Sequence, residues 1–273
     1  MSDNRLYPIL LAPRVTEKTT LVGENSNQYV FHVVNDAKKS EVKGAVEMLF
    51  DVEADPHEVH NLAADPQYAD VLADMRARLQ RKVKDLPDLS FYPESFLVRH
   101  ALAAPVTFGR RHQAEIARLV DTADLALLPF DAARPKIEAA LAARDAMTRY
   151  WAAMVCSSFG KQAAGLAGAV APLVDDEAEV VRVRALEFLG IISQRNPQPG
   201  LTRIVNTTRD PVLATEALNS VVFFRDFFGD RYPVDRTNFH PVSRGADIDD
   251  RLNYINGEPY PRKPKKANKG KTN

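Results

Sequence analysis

The sequence predicts a mainly α protein in which a short α-solenoid is preceded by a small, incomplete α/β segment. Three observations carry this. Strand-like alternation of β-branched and aromatic residues is concentrated in the first fifty residues, around Tyr29 to Val34. From about residue 95 to 228 the chain is rich in alanine and leucine and reads as consecutive helices. Within that helical stretch Asp145, Asp175-Asp176 and Asp210-Pro211 each stand at a turn before an apolar helix, and Ala152, Ala185 and Ala217 recur at matching places. Such a period means stacked two-helix units, because no single unit can bury its apolar stripe alone. The expected organisation is an α/β fragment over residues 1–52, a turn, helix and linker over 53–94, helical repeats over 95–240 and an extended basic tail over 241–273.

Composition bounds the rest. With 273 residues, 45% hydrophobic and 26% charged, the chain belongs with globular proteins long enough for two domains. Its net charge is zero, with 36 Lys+Arg against 36 Asp+Glu, but the ends differ. Residues 1–50 hold six of each sign, whereas residues 262–273 hold six Lys and Arg and no acid, so only the tail is drawn to polyanions by charge alone. The single cysteine, Cys156, excludes an intramolecular disulfide and any multi-cysteine metal centre. No stretch approaches the ~20 apolar residues that span a bilayer, and Met1 to Arg5 does not open a cationic, then apolar leader. The expected location is cytoplasmic, with no membrane partner and no cofactor.

The first elements follow from local chemistry. Leu6 to Leu11 is an apolar run closed by Ala12-Pro13, and Thr16 is placed to cap a short helix reaching about Val22. The strand over residues 28–34 puts Tyr29, Phe31 and Val33 on one face and Val30, His32 and Val34 on the other. A lone strand of this kind leaves backbone donors and acceptors unpaired, which makes the segment incomplete. Asn35-Asp36 is expected to cap a helix over residues 37–50, with Val42, Val46 and Leu49 on its apolar face and Lys38, Lys39, Lys43 and Glu47 on its solvated side.

These residues resemble a family, the large-subunit ribosomal protein number twenty-three. The resemblance rests on Pro13-x-x-Thr16-Glu17-Lys18, on the strand Tyr29-Val30-Phe31-His32-Val33, and on Ala37-x-Lys39-x-Glu41-Val42-Lys43-x-Ala45-Val46-Glu47-x-Leu49-Phe50-x-Val52. It implies a fold set on ribosomal RNA beside the exit of the polypeptide tunnel, and it makes Arg14, Lys18, Lys38, Lys39 and Lys43 the candidate RNA-binding residues. The further strands and basic extended loop of the family do not follow here. Charge patterning alone reads the three helix lysines as a solvated face, and the resemblance reads them as phosphate contacts.

A second resemblance begins at the join, near Phe50-Asp51. Asp55, Pro56, Glu58, Asn61 and Leu62 are similar to the end of the conserved region of sulfatases, where an Asp-Pro turn leads into a helix. Physically the stretch is a turn, and Asp65-Pro66 supplies a cap and an N1 proline for a helix over residues 66–84. Sulfatase chemistry needs a Cys/Ser-x-Pro-x-Arg nucleophile and an acidic metal site, and neither occurs in this chain. Cys156, in Val155-Cys156-Ser157-Ser158-Phe159, reads as a packed core thiol, with Trp151 and Met154 beside it. His57 and His60, around Glu58, miss the His-Glu-x-x-His zinc spacing and read as turn residues. The expectation is therefore no catalytic residue and no metal.

Residues 87–93 read as a linker. In the middle helical unit Val181, Ala185, Phe188 and Ile192 form one stripe, with Arg182, Arg184 and Glu187 pointing elsewhere. The helical array resembles HEAT repeats, and some sulfatases carry such an extension. Phe223-Phe224 and Phe227-Phe228 are expected to close its end against Tyr232 and Phe239. The resulting expectation is a chimera: a ribosome-associated, RNA-contacting segment fused to a noncatalytic sulfatase-like helical scaffold. Its alternatives are a sulfatase remnant or subunit, and an interaction scaffold holding a protein partner on the solenoid face.

Overall fold

The computed structural model describes residues 9–13, 30–49 and 61–258. The expected helix of residues 16–22 and the His57/His60 turn lie outside the described residues.

β1 (Leu10–Pro13) pairs antiparallel with β2 (Phe31–Val33), with Leu10 opposite Val33, Ala12 opposite His32 and Pro13 opposite Phe31. The Val34 N–H donates to the Ile9 carbonyl at 3.1 Å and extends the pairing. The strand expected to stand alone thus has a partner, because the apolar run before Pro13 is itself extended. Phe31 and Val33 are half-buried and His32 is exposed, as the alternation requires. α1 (Lys39–Leu49) lies against β1, and Ile9 and Ala45 are buried in this unit. α1 starts two residues later than expected: the Lys38 carbonyl accepts the first helical bonds, from Glu41 and Val42, and the Glu41 carboxylate accepts the Lys38 N–H at 2.9 Å. That is half of a capping box, so the boundary is set by Glu41 reaching back.

The cap expected at Asp65 forms, with its carboxylate accepting the Gln67 N–H at 2.9 Å. It opens a 3-10 turn, Pro66–Tyr68, that leads into α2 (Ala69–Asp85). The chain divides into two compact units between Leu79 and Gln80, inside α2. The expected segment 53–94 is therefore split, because the last turn of α2 is tied to the helical unit. Gln80 Nε2 donates to Asp124 Oδ2 at 2.8 Å, the Lys84 ammonium pairs with Asp121, and Gln113 Nε2 donates to the Asp85 carbonyl at 3.1 Å.

Nor is residues 87–93 a linker. Leu89–Phe91 is a 3-10 turn capped by Asp88, and Tyr92 is 3% exposed. Tyr92 stacks on Phe96 at 4.8 Å between centroids and meets Phe108 edge-on at 5.6 Å, while Trp151 Nε1 donates to the Phe91 carbonyl at 2.8 Å. Aromatic burial outweighs the proline signal here, since each ring removes a large apolar area from water.

The helical unit runs through α3 (Glu94–His100), α4 (Pro105–Arg111), α5 (Gln113–Ala123), α6 (Phe130–Leu141), α7 (Ala146–Phe159), α8 (Ala167–Val170), α9 (Glu179–Ile191), α10 (Gln198–Thr207), α11 (Pro211–Phe228) and α12 (Ala246–Asn256). α7 packs between α6 and α9, and α9 and α10 both meet α11. Ala152, Ala185 and Ala217 are each fully buried, one in each of α7, α9 and α11, and α9 packs against both of the others. Asp145 caps α7 through the Thr148 N–H at 2.8 Å, and Asp210 caps α11 through the Val212 N–H at 2.9 Å. Asp176 acts differently: its carboxylate takes both Arg149 Nε and Nη2, at 2.6 and 2.8 Å. Gly190 in α9 leaves room for the Phe224 ring of α11, since a Cβ there would stand 2.6 Å from that ring.

Three further expectations change. Val181, Ala185, Phe188 and Ile192 are buried as a stripe, but Arg184 and Glu187 also turn inward, because Ser220 and Tyr150 supply polar and π partners. Phe224 and Tyr232 close the core, yet Phe227 is 75% exposed, its ring 5.3 Å from that of Phe223. The tail expected to be extended from residue 241 contains α12, whose Ile248 and Ile255 are each 1% exposed. Ile248, Leu252 and Ile255 repeat at helical spacing, Asp247 and Asp249 sit in the first turn, and left-handed Gly257, at φ 78°, ends the helix.

Candidate nucleic-acid interface

Of the five candidate RNA-binding residues, Lys38, Lys39 and Lys43 are described, and Arg14 and Lys18 lie outside the described residues. All three described side chains are exposed. Lys39 and Lys43 are four apart in α1 and therefore share a face, with Lys38 at its N-terminal edge. The opposite face, carrying half-buried Val42 and Val46 and buried Ala45, turns inward. β1 gives α1 a strand to rest on, and the turn at Asn35-Asp36, closed by the Ala37 N–H to the Val34 carbonyl at 3.0 Å, leads from β2 toward it. The result is a small cluster of point charges. Lysine ammoniums can neutralise phosphates without the bidentate geometry of arginine, so this face is suited to backbone contact rather than base reading.

The helical unit holds a polar cluster around Arg184 and Glu187, which the spacing set apart from the apolar stripe of α9. Arg184 Nη1 donates to both Glu187 carboxylate oxygens, at 2.8 and 2.7 Å, and the guanidinium lies 5.3 Å from the centroid of the Tyr150 ring. Ser220 Oγ donates to Glu187 Oε1 at 2.5 Å. Glu216, one turn earlier in α11, accepts the Ser95 N–H and hydroxyl, each at 3.1 Å. Burial pushes the Glu216 carboxyl above its ordinary range, against the lowering effect of Ser95 and Arg184. Burial also acts to raise Asp176, but the Arg149 and Ala178 donors overcome it and hold that carboxyl low. These bonds join α3, α7, α9 and α11 to one another. The signal that could have found the cluster is Arg184 and Glu187, three apart inside the otherwise apolar run Val183 to Gly190.

Cys156 is fully buried, and desolvation pushes its thiol up to about 12, so it is held protonated and inaccessible. Among the described residues no group of three or more His, Cys, Asp or Glu is placed to hold a metal. No described helix is long and apolar enough to cross a membrane.

Comparison with known proteins locates the similarity in the first unit. The family described as Ribosomal protein L23 matches residues 8–82. The large ribosomal subunit protein uL23 of Hahella chejuensis is 53% identical over 62 residues, which is 23% of this chain and 63% of that protein. Its counterpart from Nitrosococcus oceani is 56% identical over 52 residues, 19% of this chain and 53% of that protein. That of Stenotrophomonas maltophilia is 51% identical over 61 residues, 22% of this chain and 62% of that protein. The chain thus spans less than two thirds of the length of these relatives. No solved structure gives a significant match. The family match runs past the join expected at Phe50-Asp51 and into α2, so the N-terminal region similar to ribosomal protein L23 extends to residue 82.

Proposed function

We propose that this protein associates with the large ribosomal subunit and contacts ribosomal RNA, with the helical unit as a noncatalytic scaffold. The observation that carries the reading is the similarity of residues 8–82 to ribosomal protein L23, at 53% identity over 62 residues to one relative. The exposed lysine face of α1 supports it. The partners are ribosomal RNA and neighbouring ribosomal proteins, and the place of action is the cytoplasm.

RNA affinity is weak and independent of base sequence. Residues 1–50 have no net charge, while residues 262–273 carry six cations, so most phosphate neutralisation comes from the tail. Six phosphate contacts give a salt slope of about −4 on single strands. The helical unit is proposed as a short HEAT-like solenoid derived from a sulfatase-like protein. The recurring buried Ala152, Ala185 and Ala217 support the repeat, and the turn residues from Asp55 to Leu62 support the origin. Without the Cys/Ser-x-Pro-x-Arg motif it has no sulfatase activity, and it serves as a surface for a protein partner.

The test is co-sedimentation of the full chain with large ribosomal subunits, alongside fluorescence titration of ribosomal RNA. The full chain, a chain ending at Pro261 and a Lys38/Lys39/Lys43→Ala variant are compared. Co-sedimentation that weakens steeply with salt and with removal of the tail is expected. Failure to sediment with subunits at low salt would sink the reading; loss of binding only in the triple variant would move the RNA site to α1.

A further inference from the structure

We infer that the turn joining α3 to α4 is a membrane-surface contact that enters the interface of an anionic bilayer. Leu102 to Thr107 are six successive residues, all exposed and none charged, and the first five are apolar. Leu102 is 59% exposed and Val106 62%, with Val98, at 45%, one turn before Leu102. Cations stand behind this tip. Residues 95–114 hold three arginines and two histidines and no acid. Arg110 and Arg111, one turn along α4 from Val106 and Thr107, are exposed and make no ion pair among the described residues. Arg99 differs, since its Nη2 pairs with Asp210 at 2.8 Å. The adjoining acids lie away from the tip: Glu94 opens α3 two turns before Leu102, and Glu115 is half-buried beside Tyr92. Asp88 caps its own turn through the Ser90 N–H at 2.9 Å, and the Asp85 carbonyl meets Gln113, past the far end of α4. The Phe96 and Phe108 rings, 6.1 Å apart, both pack on Tyr92, so the tip is carried on two anchored helices.

Shape and charge choose the occupant. A partner helix reads one face of what it lies on, through anchors three or four residues apart. Six exposed neighbours in a row offer no such face and suit a medium that is apolar on every side. A second copy of the tip would bring two more unpaired arginines against Arg110 and Arg111, which repel. RNA phosphates would satisfy the arginines and leave Leu102 and Val106 in water. An anionic bilayer uses both features, since acyl chains take the aliphatic residues and headgroups take the guanidiniums. A contact at the surface needs no spanning helix, so the expectation of no membrane partner narrows to no spanning segment among the described residues.

The basic tail is drawn to the same headgroups by charge alone, so the experiment reads the tip itself. The full chain carries a nitrobenzoxadiazole label at Ala103→Cys, and fully buried Cys156 stays unlabelled. Its emission should rise and shift to the blue on vesicles of phosphatidylcholine mixed with phosphatidylglycerol, and stay unchanged on phosphatidylcholine alone or on ribosomal RNA. Leu102→Ser with Val106→Ser, both at exposed positions, should abolish the shift while circular dichroism stays that of the parent. Arg110→Ala with Arg111→Ala should raise the lipid concentration at half-maximal signal by about 25-fold, at about fivefold for each arginine. The proposal is overturned by unshifted emission from chain that sediments with the anionic vesicles, or by failure to sediment with them. An equal shift on phosphatidylcholine alone overturns it too, as does a shift that survives in the Leu102/Val106 variant. A blue shift on ribosomal RNA without vesicles would overturn it by giving the tip to nucleic acid.

Discussion

Residues 9–49 and residues 80–258 are built to different standards of burial. Among the described residues of the first, only Ile9 and Ala45 are buried, and a two-stranded ladder carries one helix. In the second, Phe188, Phe224, Ile137, Leu186, Leu201 and Leu218 are all fully buried in one continuous core. A two-stranded sheet is marginal in water, whereas a helical array with a continuous core is cooperative. Sequence similarity to a known family therefore sits in the unit with less described core. The larger described core lies beyond the residues that match that family.

The sharpest way to break this contrast is to empty the core of the helical unit. Phe188→Ala should cost about 3–5 kcal/mol in urea unfolding followed by circular dichroism, because a large ring leaves a cavity the surrounding helices cannot fill. A loss below about 1 kcal/mol would mean that α9 is not central to the unit. Hydrogen exchange should show the complementary result, with amides of residues 31–33 exchanging before those of residues 181–191. Equal protection would erase the distinction.

Glu187→Ala should cost about 3 kcal/mol, because it strands a half-buried Arg184 without its carboxylate. Replacing the pair together, Arg184→Met with Glu187→Leu, should recover most of that loss. If the double variant is no better than the single, the ion pair is a positive source of stability rather than a specified joint. Asp145→Ala should cost about 1 kcal/mol through loss of the α7 cap, again read from the unfolding midpoint.

Acid distinguishes two half-buried carboxylates, Asp176 and Glu216. Asp176 has a lowered pKa in the folded protein, so its stabilisation is present above the ordinary aspartate value of about 3.9 and is lost as pH falls through its folded value. Glu216 has a raised folded pKa, so its contribution is full below the ordinary glutamate value and declines as pH rises through the folded one. Asp176→Asn should therefore flatten the acid limb of the stability curve, and a limb as steep as that of the parent would show that another carboxylate governs it.

Much of this architecture was legible in the residues. Asp145, Asp210 and Asp65 announced helix starts because a carboxylate beside a first turn has a local partner wherever the chain folds. Ala152, Ala185 and Ala217, recurring at a fixed period, announced positions that are all buried. The lysines of α1 could be placed on an exposed face from spacing alone. The limits lay where distant residues compete. Tyr92 reads as linker from Pro87 and Pro93, and only Phe96 and Phe108 arriving from α3 and α4 make a core there. α12 was missed because its apolar face is narrow and its partner, α11, lies earlier in the chain.

What the sequence by itself determined is therefore what short-range physics decides. It set the helix caps, the strand alternation of β2, the exposed lysines of α1 and the buried character of Cys156. What only the tertiary structure decided is what needs a second element to be present: the β1 partner of β2, the inward turn of Arg184 and Glu187 toward Ser220 and Tyr150, and the exposure of Phe227 beside buried Phe224. The physical reason is one of range. A cap or a period is satisfied within a few residues, whereas the burial of a charge or a ring depends on what packs over it from more than thirty residues away, as Ser220 does over Glu187.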